Sequence, residues 1–166
     1  MRYYDTYQSP HGKMLLVATD DGLCGVFFHR QKYYPAKEKD WKRDPGRALL
    51  KQAKRELVEY FAGKRRNFNV ALDPEGTPFQ RSVWKAISRV DFGTTITYGA
   101  LAAKAGRPGS ARAAGAATGR NPISIVVPCH RIMGANGSLT GYAGGLQRKR
   151  ALLALEGIGQ KPLSAP

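Results

Sequence analysis

The chain holds two cysteines and three histidines, and at one place a thiol stands beside an imidazole. There the apolar run Asn121-Pro122-Ile123-Ser124-Ile125-Val126-Val127-Pro128 ends in Cys129, with His130 and Arg131 directly behind. A thiol attacks only as thiolate, so something must take its proton. An adjacent cation favours the charged form. Equally, a cysteine closing an apolar run can be an inert core thiol, and the spacing alone leaves both readings open. In an extended chain neighbouring side chains point to opposite faces, so His130 would need a turn or a water to reach Cys129. After residue 76 the only carboxylates are Asp91 and Glu156. A carboxylate that orients a histidine that activates a cysteine is the general triad logic. As a solvated residue at a helix C-terminus, Glu156 would oppose the helix dipole, which mildly favours a role. Tyr98 carries a phenol that can donate a proton or stack, or simply pack half-buried. Cys24 falls inside an expected strand and reads as an inert thiol, and His11 and His29 read as surface residues. A structural zinc site takes about four ligands, which this cysteine count does not supply, so no metal is expected. Gly144-Gly145 makes no phosphate cradle, since neither a GxxxxGKS/T nor a GxGxxG after a strand is present.

The elements that must position these groups differ between the two halves. The net charge is +15; residues 1–76 carry 15 basic and 10 acidic side chains, residues 77–166 carry 12 and 2. An acid-poor basic half is the footprint of a polyanion binder, because cations near phosphates release counterions. A generically soluble basic protein is the plainer reading. No long basic amphipathic helix argues for an anionic membrane surface. Hydrophobic residues make up 42%, enough for a core. No apolar run has spanning length and no signal peptide is evident, so a cytoplasmic protein is expected. Two cysteines make no disulfide framework.

Tyr3 to Gln8, Met14 to Thr19 and Leu23 to Phe28 read as an antiparallel meander, separated by Ser9-Pro10-His11-Gly12 and Asp20-Asp21-Gly22. Residues 31–46 read as a loop. From Arg47 the residues Leu49, Leu50, Ala53, Leu57, Tyr60 and Phe61 recur at helical spacing until Gly63. Phe68 to Leu72 is expected as a short strand. Asp73-Pro74-Glu75-Gly76-Thr77-Pro78 is a linker by composition, and the charge shifts there. The expected domains are therefore 1–76 and 77–166. The fold class is α/β (α+β), a sheet-plus-helix domain followed by a mostly helical one.

In the second half, Phe79 to Val90 is an amphipathic helix. Thr97 to Ala105 and Ala111 to Gly119, the latter capped by Ser110, flank Gly106-Arg107-Pro108-Gly109 as a helix-turn-helix. Asn121 to Val127 reads as a strand or extended segment, 133–145 with five glycines as a long loop, and Arg148 to Glu156 as a final helix. The helix Ala111-Arg112-Ala113-Ala114-Gly115-Ala116-Ala117-Thr118-Gly119 bears one arginine on a bed of alanine and glycine. A major-groove reader normally shows several long polar side chains. Small residues with a single Arg112 suit close approach to a minor groove with little sequence readout. The alternative is tight packing on a neighbouring helix with Arg112 solvated.

Taken together, Pro128-Cys129-His130-Arg131, Asn121-Pro122 before it, Gly141-Tyr142-Ala143-Gly144-Gly145 and Leu155-Glu156-Gly157 after it resemble the O6-alkylguanine-DNA alkyltransferases of the bacterial Ogt type. The likeness covers residues 77–158, and the N-terminal half is similar in pattern to that family's ribonuclease-H-like domain. The resemblance implies a suicide protein that flips an O6-alkylated guanine, and also O4-alkylthymine, out of double-stranded DNA and moves the alkyl group to Cys129. A stacked base cannot present its alkyl carbon to a thiolate in line, so extrusion is required. It implies that His130 acts through a water as base, that Glu156 orients His130, that Asn121 braces the turn, and that Tyr98 protonates the leaving guanine. Arg112 would fill the gap in the duplex, with Ala113, Ala114, Gly115, Ser110 and Thr95 completing the DNA-binding set. Val127, Pro128, Tyr142, Ala143 and Gly144 would form the substrate pocket, carbonyls near Val127 and Cys129 accepting from the guanine amine. Some relatives carry serine at position 143, and Ala143 removes that hydroxyl. No cofactor and no metal are implied, and a monomer is expected, with cooperative binding on DNA left open. The related non-catalytic proteins lack the cysteine that is present here.

Two other classes fit parts of the pattern. A Cys-His hydrolase would turn over repeatedly but gives no reason for the acid-poor half. A non-catalytic DNA-binding module explains the charge and the helix pair but leaves the Pro128 to Arg131 run idle.

Overall fold

A computed structural model describes residues 1–36 and 40–159. β1 (Tyr3–Ser9), β2 (Gly12–Ala18) and β3 (Leu23–Phe28) form the expected meander, paired antiparallel from Tyr3 against Ala18 to Ser9 against Gly12. The first hairpin closes because the Ser9 hydroxyl donates to the Gly12 carbonyl at 2.6 Å and accepts the His11 N–H. Gly12 there takes φ +110°, a conformation a Cβ disfavours. Within the segment expected as a loop, β4 (Lys42–Arg43) pairs parallel with β1, giving the order β3-β2-β1-β4.

α1 (Ala48–Phe61) lies on one sheet face with Leu50, Ala53, Leu57 and Tyr60 buried, a single helical stripe. The other face buries Leu15, Val17, Cys24 and Phe27 under Tyr4 and Trp41. The strand expected at Phe68 to Leu72 reduces to one bridge, Leu23 with Leu72. Its cause is the buried Glu56 on α1, whose carboxylate accepts the N–H groups of Asn69 and Val70 at 2.8 and 3.2 Å and so supplies what a ladder would.

The helical domain begins at α2 (Pro78–Ile87), set by a capping box between Thr77 and Gln80. The short β5 (Ile96–Thr97) and α3 (Tyr98–Lys104) follow, then α4 (Ala111–Gly119). α3 and α4 make the helix pair, and the Trp84 indole N–H donates to the Ala117 carbonyl at 2.8 Å, tying α2 to α4. Ser110 stands at the start of α4, but its side chain caps nothing. β6 (Ile132–Met133) pairs parallel with β5, and α5 (Leu146–Leu155) closes the described chain with Glu156 as its C-terminal cap.

Asn121 to Val127, expected as a strand or extended segment, forms no continuous strand. Ile123 bridges Val26 on the free edge of β3, through the bonds Val26 N–H to Pro122 and Ser124 N–H to Val26, and Ser124 bridges Val127 within the run itself. Beyond Ser124 the chain coils through Ile125, which takes φ +72°, into tight turns and a 3-10 turn at Cys129–Arg131. The run is apolar because it is buried, not because it is a strand. A β-branched residue at positive φ costs about 1–3 kcal/mol and persists where surrounding packing over-determines it. One hydrophobic core runs through both domains, from Met14, Leu23 and Leu57 to Val83, Leu101, Ile123, Cys129 and Leu152.

Candidate active site

Asn121 organises the coil. Its side-chain oxygen accepts the Ile123 N–H at 3.0 Å, and its amide nitrogen donates to the Val127 carbonyl at 2.9 Å and to Cys129 Sγ at 3.2 Å. The cysteine is therefore held from behind by a side chain eight residues earlier. Burial pushes the Cys129 thiol up, opposed by the Asn121 hydrogen bond and by the charge of Lys149, so the resting sulfur is protonated. The cation beside the sulfur is thus Lys149 rather than the adjoining Arg131, as the sequence had suggested. Lys149 is fully buried, with Nζ donating to the Ile132 and Thr140 carbonyls at 2.6 and 3.0 Å; burial lowers its pKa to about 8.

His130 is held by Glu156. Because Cys129 and His130 sit in a 3-10 turn, extended-chain alternation does not apply, yet their partners still differ. His130 Nε2 meets Glu156 Oε2 at 2.7 Å, with both side chains wholly enclosed. Glu156 also accepts from Arg131 Nε at 2.7 Å, Arg131 Nη2 at 3.0 Å, Tyr60 Oη at 2.6 Å and the Gly93 N–H at 3.3 Å. Burial alone would raise its pKa, but the hydrogen bonds from His130, Arg131 and Tyr60 overcome this and hold it at about 2. Glu156 is therefore a carboxylate and Nε2 must carry the proton toward it. Nδ1 is left bare, buried and without a protein partner. Burial, with the charges of Arg131 and Lys149, outweighs Glu156 and lowers the His130 pKa, so the ring is neutral and Nδ1 is a free proton acceptor.

A cavity of about 570 Å³ is lined by Lys32, Tyr33, Tyr98, Gly115, Arg120, Tyr142 and Ala143 among others; it is joined to the cluster through its wall residue Thr140, whose carbonyl accepts from Lys149. Next to it a groove of about 510 Å³ carries Thr97, Tyr98, Gly99, Arg112, Gly115 and Ala135. Tyr98 and Gly115 belong to both, so the face bearing Arg112 adjoins the cavity at these two residues. The Tyr98 hydroxyl accepts from Thr140 at 3.3 Å. Tyr142 is half-buried, packs against the core near Cys129 and links the cavity wall to the thiol's surroundings.

Several expected members sit elsewhere. Pro128 lines a separate cavity of about 140 Å³ with Arg66, Phe68 and Asp91. The Val127 carbonyl already accepts from Asn121 and from the Cys129 N–H, so both its lone pairs are engaged. Gly144 is wedged where a Cβ would come within 2.7 Å of Tyr142 and 3.0 Å of Phe28, a packing role rather than a lining one. Ala114 is fully buried, so its methyl faces the core, while Arg112, Ala113 and Thr95 are exposed and Ser110 and Gly115 half-buried. Sequence reasoning missed Tyr60 and Lys149 and gave Arg131 another task. A signal existed for Lys149: it stands three and four residues before Leu152 and Leu153, on the inward stripe that also carries Glu156. Among the described residues no cluster of three or more His, Cys, Asp or Glu could hold a metal ion, and no helix is long and apolar enough to cross a membrane.

Residues 78–158 match the family model described as 6-O-methylguanine DNA methyltransferase, DNA binding domain, and residues 2–74 match its ribonuclease-like domain. The chain belongs to the 6-O-methylguanine DNA methyltransferase family. It is 46% identical to the methylated-DNA--protein-cysteine methyltransferase of Methanosarcina acetivorans, over 93% of this chain and 98% of the relative. To the protein of the same name from Mycobacterium bovis it is 47% identical, over 94% and 93%. The crystal structure of the Mycobacterium tuberculosis O6-methylguanine methyltransferase superposes with TM-score 0.86 at 45% identity, covering 99% of this chain and 97% of that one. The M. tuberculosis OGT in complex with DNA superposes with TM-score 0.85 at 45% identity, covering 93% and 92%. The two family domains coincide with the sheet domain and the helical domain of the fold.

Proposed function

We propose that this methyltransferase-family member repairs double-stranded DNA directly, moving the alkyl group of O6-alkylguanine, and of O4-alkylthymine, once and irreversibly onto Cys129. The observation that carries this is the buried pair of contacts, Asn121 to Cys129 and Glu156 to His130, which leaves a neutral thiol near a neutral imidazole with a bare nitrogen.

The thiol proton passes through a water to His130 Nδ1, and Glu156 stabilises the imidazolium that forms. The sulfur then attacks the alkyl carbon in line, the bond from that carbon to O6 breaks, and its electron pair goes to the guanine. Tyr98 gives the base a proton so that it leaves neutral, and the phenol is restored from the imidazolium through solvent. Atoms balance as thiol plus alkylguanine giving thioether plus guanine, with no cofactor. Because the thioether has no route back, one molecule repairs one lesion.

The exposed Arg112 on the small-residue face of α4 fills the space of the extruded base, and Ala113, Gly115, Ser110 and Thr95 lie along the same approach to phosphates and minor groove. The base enters past Tyr98 and Gly115 into the cavity walled by Tyr142 and Ala143. The working unit is a cytoplasmic monomer with its domains meeting at residues 76–77, and several copies can gather on one duplex.

Intact mass spectrometry after mixing with an O6-methylguanine duplex tests this. One methyl gained on Cys129, ending after one equivalent, is expected, and Cys129→Ser should keep DNA binding with no transfer. Repeated turnover would favour a hydrolase, and tight binding without a mass change a non-catalytic module.

A further inference from the structure

Among the described residues five hydrogen bonds end on Glu156, and four come from the helical domain: one from His130, two from Arg131 and one from Gly93. The fifth comes from Tyr60 on α1, 96 residues away in the sheet domain, and lands on Oε2, the same oxygen that holds His130. Tyr60 is 1% exposed and sits in a cage of Phe61, Phe68 and Phe92, with ring centroids 5.5–6.3 Å apart. A phenylalanine would fill that cage equally well. The hydroxyl is therefore not needed for packing, and a buried phenol requires a partner that a benzene ring would not.

We propose that Tyr60 is a positioning residue: its hydroxyl reaches across the domain interface to fix the Glu156 carboxylate and to limit how strongly it draws a proton onto His130. A donor on a carboxylate oxygen draws off part of its charge, which weakens the hold of that oxygen on a second donor. Glu156 at the C-terminal cap of α5 favours the protonated ring, while Arg131 in the 3-10 turn and Lys149 on α5 oppose it. The groups facing Tyr60 itself are Glu156 and Arg131. Tyr60 acts in the same sense as the two cations although it carries no charge. Burial beside Glu156 pushes the phenol far above its ordinary range, so it remains a donor at every working pH.

This inference rests on the alkyl-transfer reading. The test is the single-turnover rate of transfer from an O6-methylguanine duplex against pH, for the full-length protein and for Tyr60→Phe. The acid limb should move up by about one pH unit and the plateau should fall by about tenfold as the carboxylate loses its orientation. DNA affinity should stay within about twofold, because a buried side chain cannot touch the duplex. In parallel, the His130 imidazole is titrated by nitrogen NMR, a readout that a purely structural defect would not move. Placing 3-fluorotyrosine at position 60 keeps the ring and strengthens the donor, so the limb should move the other way. A pH profile and an imidazole titration that superimpose on those of the unaltered protein in both variants would overturn the proposal, as would a lowered Tm alone. If the unaltered protein transfers no alkyl group, the repair reading fails, and the imidazole titration still decides the role of Tyr60.

Discussion

Two arginines in the helical domain meet opposite fates. Arg131 is 5% exposed, gives two bonds to Glu156 and one to the Val90 carbonyl at 2.6 Å, and lies under Phe92. Arg112 is exposed on α4 with no ion pair among the described residues. A buried guanidinium must be matched bond for bond, so it becomes part of a rigid scaffold. An exposed one keeps its charge and reach for a partner that arrives later. In the first region charge is fixed by its neighbours, and in the second it stays open to solvent, as the proposed DNA contact requires.

The largest effect should come from unmatching the buried region. Glu156→Gln leaves Arg131 enclosed without its anion and should cost about 3–5 kcal/mol, read by denaturant unfolding, and remove most of the transfer rate. The pH sign follows from the Glu156 pKa, held at about 2 against an ordinary 4.5. Below 4.5 the unfolded chain takes the proton first, so stability present above that pH is lost as pH falls toward about 2. The variant should lack that slope; an unchanged acid transition would mean the cluster contributes little.

A middle effect separates the two faces of α4. Ala114→Leu overpacks a fully buried site and should cost about 1–3 kcal/mol, whereas Ala113→Leu one residue away should leave stability within about 0.5 kcal/mol and alter only DNA binding. Equal melting temperatures for the two would erase the distinction between core and contact face. The smallest change in fold belongs to Arg112→Ala, with Tm unchanged and binding of a lesion duplex weakened by about 1 kcal/mol or more. Transfer from free O6-alkylguanine base should persist, and an equal loss on duplex and free base would rule out Arg112 as the group that fills the space of the extruded base.

Much of this architecture is legible in residue types and spacing alone. The meander, α1, the helix pair and α5 follow local periodicity and turn chemistry, and Cys129, His130 and Glu156 stand out because thiols and carboxylates are scarce after residue 76. Where reading failed, an interaction distant in sequence had replaced a local one. Glu56 takes over the backbone of residues 69–70, and Asn121 converts an apolar run into a coil. Ala113 and Ala114 cannot be told apart by type, yet one is exposed and the other enclosed.

The sequence by itself determined which reactive groups exist, the uneven distribution of charge, and the helices and strands, because these depend on residue identity and short-range spacing. Tertiary structure decided what each reactive group touches. It set Lys149 rather than Arg131 toward the thiol, turned His130 toward Glu156, and brought Tyr60 from the other domain onto the same carboxylate. Those choices turn on burial and on contacts between residues up to 96 positions apart, and a buried charge accepts whichever partners the packed core brings to it.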